Sequence, residues 1–343
     1  MLRNPWDYSL AIYREDWTPL AQAKVDPDWE PAREWVRLSA LNEGRSLSAP
    51  NNGEVRPIWK RGGGTALSGF RVAIETDGHP PEASCIFPAG RYFYEMAQQA
   101  AAPLIEAGRL GAGDVFRYLV LATVRRRDAD LAGASSFTVR DVTPPPTIMS
   151  TSMLPLLGQS VTIGEPAPRE APAFVPQHVL DEIAELTKQA APLETGGALV
   201  GHLHRDPAAR QVFTRVTAQL PAKHTEASAV RLMFTADTWA SLRHEVGVRG
   251  CDELMVGWWH SHPVREWCRL NQCPEREHDA CAFSRDIFSE HDRAVHRTVF
   301  AGAHSVALVA NDVSPPAVRF SAHGWSFGML QGRSVFVVGP RAS

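Results

Sequence analysis

No run of about 20 apolar residues occurs in the 343-residue chain, so no segment is expected to span a membrane. Cysteine is scarce: Cys85, Cys251, Cys268, Cys273 and Cys281 are all there is. An odd, low count in a chain this long argues against a disulfide-stapled secreted scaffold. Excess positive charge is missing as well. Thirty-five Lys and Arg stand against 38 Asp and Glu, a formal net charge of -3, which offers no basic field for nucleic acid. The one short basic run, Arg125-Arg126-Arg127, reads as a solvated loop edge. The opening residues, Met1-Leu2-Arg3-Asn4-Pro5-Trp6-Asp7, hold no apolar h-region, so no signal peptide is visible. Reducing cytoplasm is therefore the expected compartment. The chain shows no internal repeat.

What is present fits an ordinary globular protein, with 44% hydrophobic and 21% charged residues. The length suits two domains better than one. Pro144-Pro145-Pro146, followed by Pro166, Pro168, Pro172 and Pro176, marks a linker over 144–172, because prolines favour extended backbone and cannot donate to a ladder. The expected layout is a smaller α+β domain over 1–143, the linker, an α/β domain over 173–325 and a tail over 326–343. In the first domain, 70–75 alternates as a half-buried strand, 92–107 reads as a helix with Pro103 at a start or kink, and 115–124 reads as a buried strand. Trp6, Trp17, Trp29, Trp35 and Trp59 read as core aromatics. No chemical motif appears in this half.

The second half is more legible. An apolar stripe at Val179, Leu180, Ile183 and Leu186 predicts a helix over 177–190. Strands follow at 195–203 and 212–220, with a third at 231–235. A helix is expected over 237–246 with Asp237 near its N-cap, then a strand over 254–259, a helix over 289–300, and closing strands at 305–309 and 318–321. This order of helix, strands, helix and strands implies a layered α/β domain of about 150 residues.

Three short segments carry the chemistry. Trp258-Trp259-His260-Ser261-His262-Pro263 ends an apolar strand. Residues two apart on a strand face the same side, so His260 and His262 can aim both imidazoles at one divalent ion of zinc type. Pro263 then ends the ladder. In Ser289-Glu290-His291-Asp292, the serine can cap a helix and Asp292 falls in its first turn, placed to complete a set of two histidines and one carboxylate. Such a set leaves a fourth position for water, the mark of a catalytic zinc. His296, four residues on, shares that helical face and can orient the carboxylate or pack. Leu193-Glu194-Thr195-Gly196-Gly197 places a carboxylate between helix and strand beside two glycines that permit close backbone approach. Glu194 is thereby a candidate general base. Each segment alone has an ordinary structural reading: a strand end, a helix cap, a loop glutamate.

Taken together and in this order, the three segments resemble the JAMM motif of the JAB/MPN metalloprotease family, over about 173–325. The resemblance implies an MPN fold, a mixed β-sheet flanked by helices. It implies cleavage of isopeptide or peptide bonds at the C-terminus of ubiquitin or a ubiquitin-like protein. By position, His260, His262 and Asp292 match the zinc ligands and Glu194 the general acid/base. Ser289 matches the serine that helps stabilise the oxyanion. The architecture is also similar to JAB proteins of bacterial ubiquitin-like conjugation systems. Expected partners are then a ubiquitin-like protein, its conjugates and conjugating enzymes, with no nucleic acid or membrane.

The chain departs from the family in one place. An insert over 264–288 separates His-Ser-His-Pro from Ser-x-x-Asp. It contains Cys268, Cys273, His278 and Cys281, with four, four and two residues between them. Three thiolates and one imidazole at such spacings can wrap a second, structural zinc. Within the insert, Ser284-Arg285-Asp286 offers a rival serine and aspartate at the wrong spacing. Two other functions compete: a non-catalytic MPN scaffold, which would normally lack some of these five residues, and a JAB peptidase acting on a sulfur-carrier protein or on ordinary peptides.

Overall fold

The computed structural model describes residues 5–47, 53–62, 64–76, 82–125, 146–167, 169–228, 232–274, 288–314 and 317–339. The chain divides into two compact units, Met1–Ala40 with Arg45–Pro145, and Leu41–Gly44 with Pro146–Ser343.

The N-terminal unit is rich in strand. It runs β1 (Trp6–Arg14), β2 (Pro19–Val25), α1 (Glu30–Asn42), β3 (Glu54–Trp59), β4 (Leu67–Glu75), β5 (Glu82–Pro88), α2 (Ala89–Tyr92), α3 (Tyr94–Glu106) and β6 (Phe116–Val124). Two three-stranded antiparallel sheets form, ordered β2-β1-β6 and β3-β4-β5. Alternate residues of β1, Tyr8, Leu10 and Ile12, are buried, as the two-residue period of a strand requires. Trp29 joins Tyr8 and Phe70 edge-on at ring separations of 5.2 and 4.7 Å. Trp29 and Trp35 are thus core residues, whereas Trp17 and Trp59 are exposed, against expectation. Pro103 lies within the last turn of α3, neither starting nor interrupting it.

The C-terminal unit holds a ten-stranded mixed sheet. Its elements are β7 (Ile148–Ser150), α4 (Leu154–Leu157), β8 (Ser160–Ile163), β9 (Ala173–Pro176), α5 (Gln177–Ala190), β10 (Gly196–Asp206), β11 (Gln211–Pro221), β12 (Glu226–Ala227), β13 (Leu232–Met233), α6 (Ala236–Arg249), β14 (Leu254–His262), α7 (Val264–Leu270), α8 (Glu290–Val299), β15 (Val306–Ser314), β16 (Ala317–Ser326), β17 (Met329–Gly332) and β18 (Val335–Val338). The sheet order is β17-β16-β15-β14-β10-β11-β9-β18-β8, with β7 beside β10.

Two boundaries read from the sequence move. The segment expected as a linker is partly built into the sheet: β7 pairs with β10 and β8 with β18. Prolines punctuate that segment, but Ile148 and Val161 lie between them and are free to make ladder bonds. The expected tail holds β17 and β18, and β18 pairs with β9 on one side and β8 on the other. Its Val335 and Val337 are buried in the main core.

Both sheet faces are covered. In β10, Leu199 points to a core shared with Val179, Leu180 and Ile183 of α5 and with Trp259 of β14. Its neighbours Ala198 and Val200 point the other way, to Leu242 of α6. Full burial of Val179, Leu180 and Ile183 stabilises the docked α5 by roughly 1.5–3 kcal/mol each. The α6 helix starts one residue earlier than expected, and its N-cap is Thr235, which forms a capping box with Thr238. It ends at Gly250, whose φ of 61° suits a left-handed cap. Of the strand expected at 231–235, the described residues 232–235 hold only the two of β13. No helix of the described residues is long and apolar enough to cross a membrane.

Candidate metal centre

The β14 strand extends through both histidines of its C-terminal end and lies between β10 and β15. Period two then turns His260 and His262 to one face, as expected. Their Nε2 atoms stand 3.0 Å apart. Asp292 enters from the first turn of α8, with Oδ1 3.4 Å from His260 Nε2. All three ligand atoms lie within 4.8 Å of one another, the sole such cluster of His, Cys, Asp or Glu among the described residues.

Local sequence explains how Asp292 is aimed. Ser289 is the N-cap of α8; its hydroxyl accepts the Asp292 N–H at 3.1 Å, and Asp292 Oδ2 accepts the Ser289 N–H at 2.7 Å. This capping box spends one carboxylate oxygen on the helix end and leaves Oδ1 facing His260. The Ser289 hydroxyl also bears on the Asp292 carboxylate.

The Glu194 segment is tied to β14 by Ser261, which points away from the histidine face. Ser261 N–H donates to the Thr195 carbonyl at 2.7 Å, and Thr195 N–H donates to Ser261 Oγ at 2.9 Å. Glu194 N–H donates to the Ser228 carbonyl at 2.9 Å, so its backbone is held on two sides. Gly196 and Gly197 are required by contact: a Cβ on Gly197 would sit 2.1 Å from the Leu220 carbonyl oxygen, and one on Gly196 2.6 Å from that of Trp259.

Glu194, His260, His262 and Asp292 are 6%, 1%, 3% and 7% exposed, so desolvation dominates their chemistry. Burial pushes the Glu194 carboxyl up to about 7; His260 opposes this and the negative Asp292 adds to it. Burial, with His260 beside it, holds the His262 imidazole down at about 3, in its neutral ligating form. For Asp292 burial would raise the value, but His260 and the Ser289 hydrogen bonds win, and it stays ionised below the usual carboxylate range.

The donor set fits a divalent ion of zinc type. Ligand atoms about 2.0–2.1 Å from a tetrahedral zinc lie roughly 3.3 Å from each other, close to the separations of 3.0 and 3.4 Å found here. The rings approach each other through their Nε2 atoms, so Nε2 is the nitrogen each directs into the cluster, while each Nδ1 faces away from it.

Sequence reading overlooked what holds the imidazoles. Trp258 stacks on His260 with ring centres 4.8 Å apart and planes 14° from parallel. Its indole N–H donates to His296 Nδ1 at 3.1 Å. His296 therefore acts on Trp258 by hydrogen bond. Trp258 lies two residues before His260 on one strand face, a signal that the period-two rule already contained. His262 lies against Trp267 of α7, ring centres 4.8 Å apart, so the insert begins as a helix beside the cluster. Cys268 and Cys273 share one small apolar cluster with Val264 and Val313. His278 and Cys281, the other two residues of the expected second site, and the rival Ser284 and Asp286 lie outside the described residues.

Comparison with known proteins adds the family. Residues 176–266 match the family described as prokaryotic homologs of the JAB domain. That stretch takes in Glu194, His260 and His262 and ends before Ser289 and Asp292, so Asp292 joins the cluster on spatial grounds alone. Comparison with curated proteins gives no match. Among solved structures, the chain is similar to a Desulfitobacterium hafniense protein with a known solution structure. Identity is 16%, coverage is 49% of this chain and 93% of that one, and the TM-score is 0.33, too loose a likeness to bear on function. The match over 176–266 supports a JAB/MPN family for the C-terminal unit, whose mixed sheet carries the three clustered side chains.

Proposed function

We propose that the C-terminal unit is a zinc-dependent isopeptidase or peptidase that cleaves after the C-terminal glycine of a ubiquitin-like protein. The observation that carries this reading is the buried convergence of His260, His262 and Asp292 with a Glu194 carboxyl raised to about 7. His260 Nε2, His262 Nε2 and Asp292 Oδ1 would hold the ion. Zinc bound there supplies a Lewis acid that acidifies a water and polarises the scissile carbonyl.

The chain's own residues supply the proton traffic. The Glu194 carboxylate takes a proton from the attacking water and delivers it to the departing amine nitrogen. A group balanced near neutral pH does both with little free-energy cost, since neither protonation state is strongly preferred. Trp258 and Trp267 restrain the imidazoles and keep bulk water from the cluster. Ser289 takes the oxyanion role when its hydroxyl turns from Asp292 toward the substrate oxygen, where one donor can contribute about 3 kcal/mol. The substrate tail lies extended so that its backbone polar groups pair with a strand or with the insert. The N-terminal unit holds the ubiquitin-like partner or a conjugating enzyme, in reducing cytoplasm. Cys268 and Cys273 begin the second, structural zinc site.

One experiment separates this reading from its rivals. The purified chain is incubated with ubiquitin-like fusions and with a generic peptide, with and without chelator. Chelator-sensitive cleavage after the glycine tail is the expected result. Cleavage of the generic peptide alone points to an ordinary peptidase, and no cleavage of any substrate points to a scaffold.

A further inference from the structure

One buried polar side chain in the C-terminal unit has no task in anything described above. Asn311 sits in β15, directly after the apolar run from Val306 to Ala310, and is 0% exposed. By donor–acceptor geometry neither its Oδ1 nor its Nδ2 is satisfied among the described residues, and the side chain it bears on is His262. Burying an unpaired carboxamide costs roughly 1–3 kcal/mol, so a chain that keeps one there is expected to use it. Strand register shows where. β14 and β15 are parallel, and Asn311 is the partner of His262. Registered side chains on neighbouring parallel strands share a sheet face, so Asn311 stands beside the imidazole, and the pair is close enough to interact. His262 Nδ1 is the other unpaired group at this point.

The two vacancies are complementary. An imidazole that gives its Nε2 lone pair to an ion must carry its proton on Nδ1. Ligating histidines almost always donate that outer N–H to an oxygen, which fixes the tautomer and turns the ring. We propose that Asn311 is the positioning residue for His262. Its Oδ1 accepts the His262 Nδ1–H and holds the ring with Nε2 toward His260 and Asp292 when the ion is bound. The inference rests on the reading that His260, His262 and Asp292 bind the metal. It adds a residue outside the matched stretch of 176–266.

The test uses the full chain and zinc itself, with affinity read by competition against a chelator of known strength. Asn311→Leu removes the acceptor while filling the same space, and is expected to weaken zinc binding by roughly 10–100-fold. Asn311→Asp keeps an acceptor oxygen and is expected to stay within a few-fold of the parent. Proton NMR of the zinc-loaded parent should show a slowly exchanging His262 Nδ1–H that Asn311→Leu loses. Zinc affinity unchanged in Asn311→Leu overturns the proposal, as does an equal loss in Asn311→Asp, which marks packing alone. If Asn311→Leu does not fold, the Asn311→Asp affinity and the parent NMR signal decide. A parent chain that binds no zinc overturns the ligand reading beneath it, a different and separable failure.

Discussion

Replacing Glu194 by glutamine separates catalysis from stability, because the two are expected to move in opposite directions. In the folded chain burial lifts this carboxyl from its ordinary 4.5 to about 7. Below pH 4.5 it is protonated in both folded and unfolded chains and contributes nothing. Between 4.5 and 7 the unfolded chain loses its proton first, so folding becomes less favourable as pH rises. Above 7 the full penalty applies, about 3 kcal/mol for a difference of this size. Glu194→Gln keeps the shape and removes the ionisation. At pH 8 the metal-free variant should therefore be more stable than the parent by about 2–3 kcal/mol. For a unit of about 200 residues that raises the melting temperature by roughly 4–12 °C. Zinc loading should shrink the gain, since a cation beside the carboxylate already favours its ionised form. Zinc affinity should persist, because Glu194 is no ligand, while turnover should fall by about 10²–10⁴. Melting curves at pH 4 and pH 8, zinc titration and a cleavage assay read all of this. An active Glu194→Gln enzyme, or a metal-free variant with the parent's melting temperature at pH 8, refutes the reasoning.

Three further outcomes are expected. Asp292→Ala should lose activity and one equivalent of zinc by metal analysis, and Cys273→Ser a separate equivalent; an active, fully loaded Asp292→Ala moves the third ligand elsewhere. Ser261→Ala leaves the Thr195 N–H without its 2.9 Å acceptor, which should cost about 1–3 kcal/mol in denaturant melts and lower turnover with zinc affinity intact; loss of zinc binding instead would show that Ser261 serves the histidines. Burial, with Arg333 adding, holds His296 down at about 3, so stability complete above about pH 6.5 should drain away as pH falls toward 3, by up to roughly 4–5 kcal/mol. His296→Gln can still accept the Trp258 N–H and should shift acid unfolding of the metal-free chain to lower pH; an unmoved transition would place the acid sensitivity in another group.

The sequence was sufficient where the physics is local. Period two put His260 and His262 on one face, an apolar stripe located α5 at its full length, and Ser-x-x-Asp announced the N-cap of α8. Glu194 could be singled out beside its glycines, and the backbone contacts of Gly196 and Gly197 explain why no side chain is tolerated there. Strand pairing over long separations decided the rest. Only the fold joins β18 to β9 and β8, and so turns a supposed linker and tail into sheet. Only the fold carries Asp292 across the insert to within 3.4 Å of His260. The raised Glu194 carboxyl, the Trp258 shelf and the Asn311 beside His262 follow from burial and from register between β14 and β15. Those are properties of packed neighbours remote in the chain, and no local pattern encodes them.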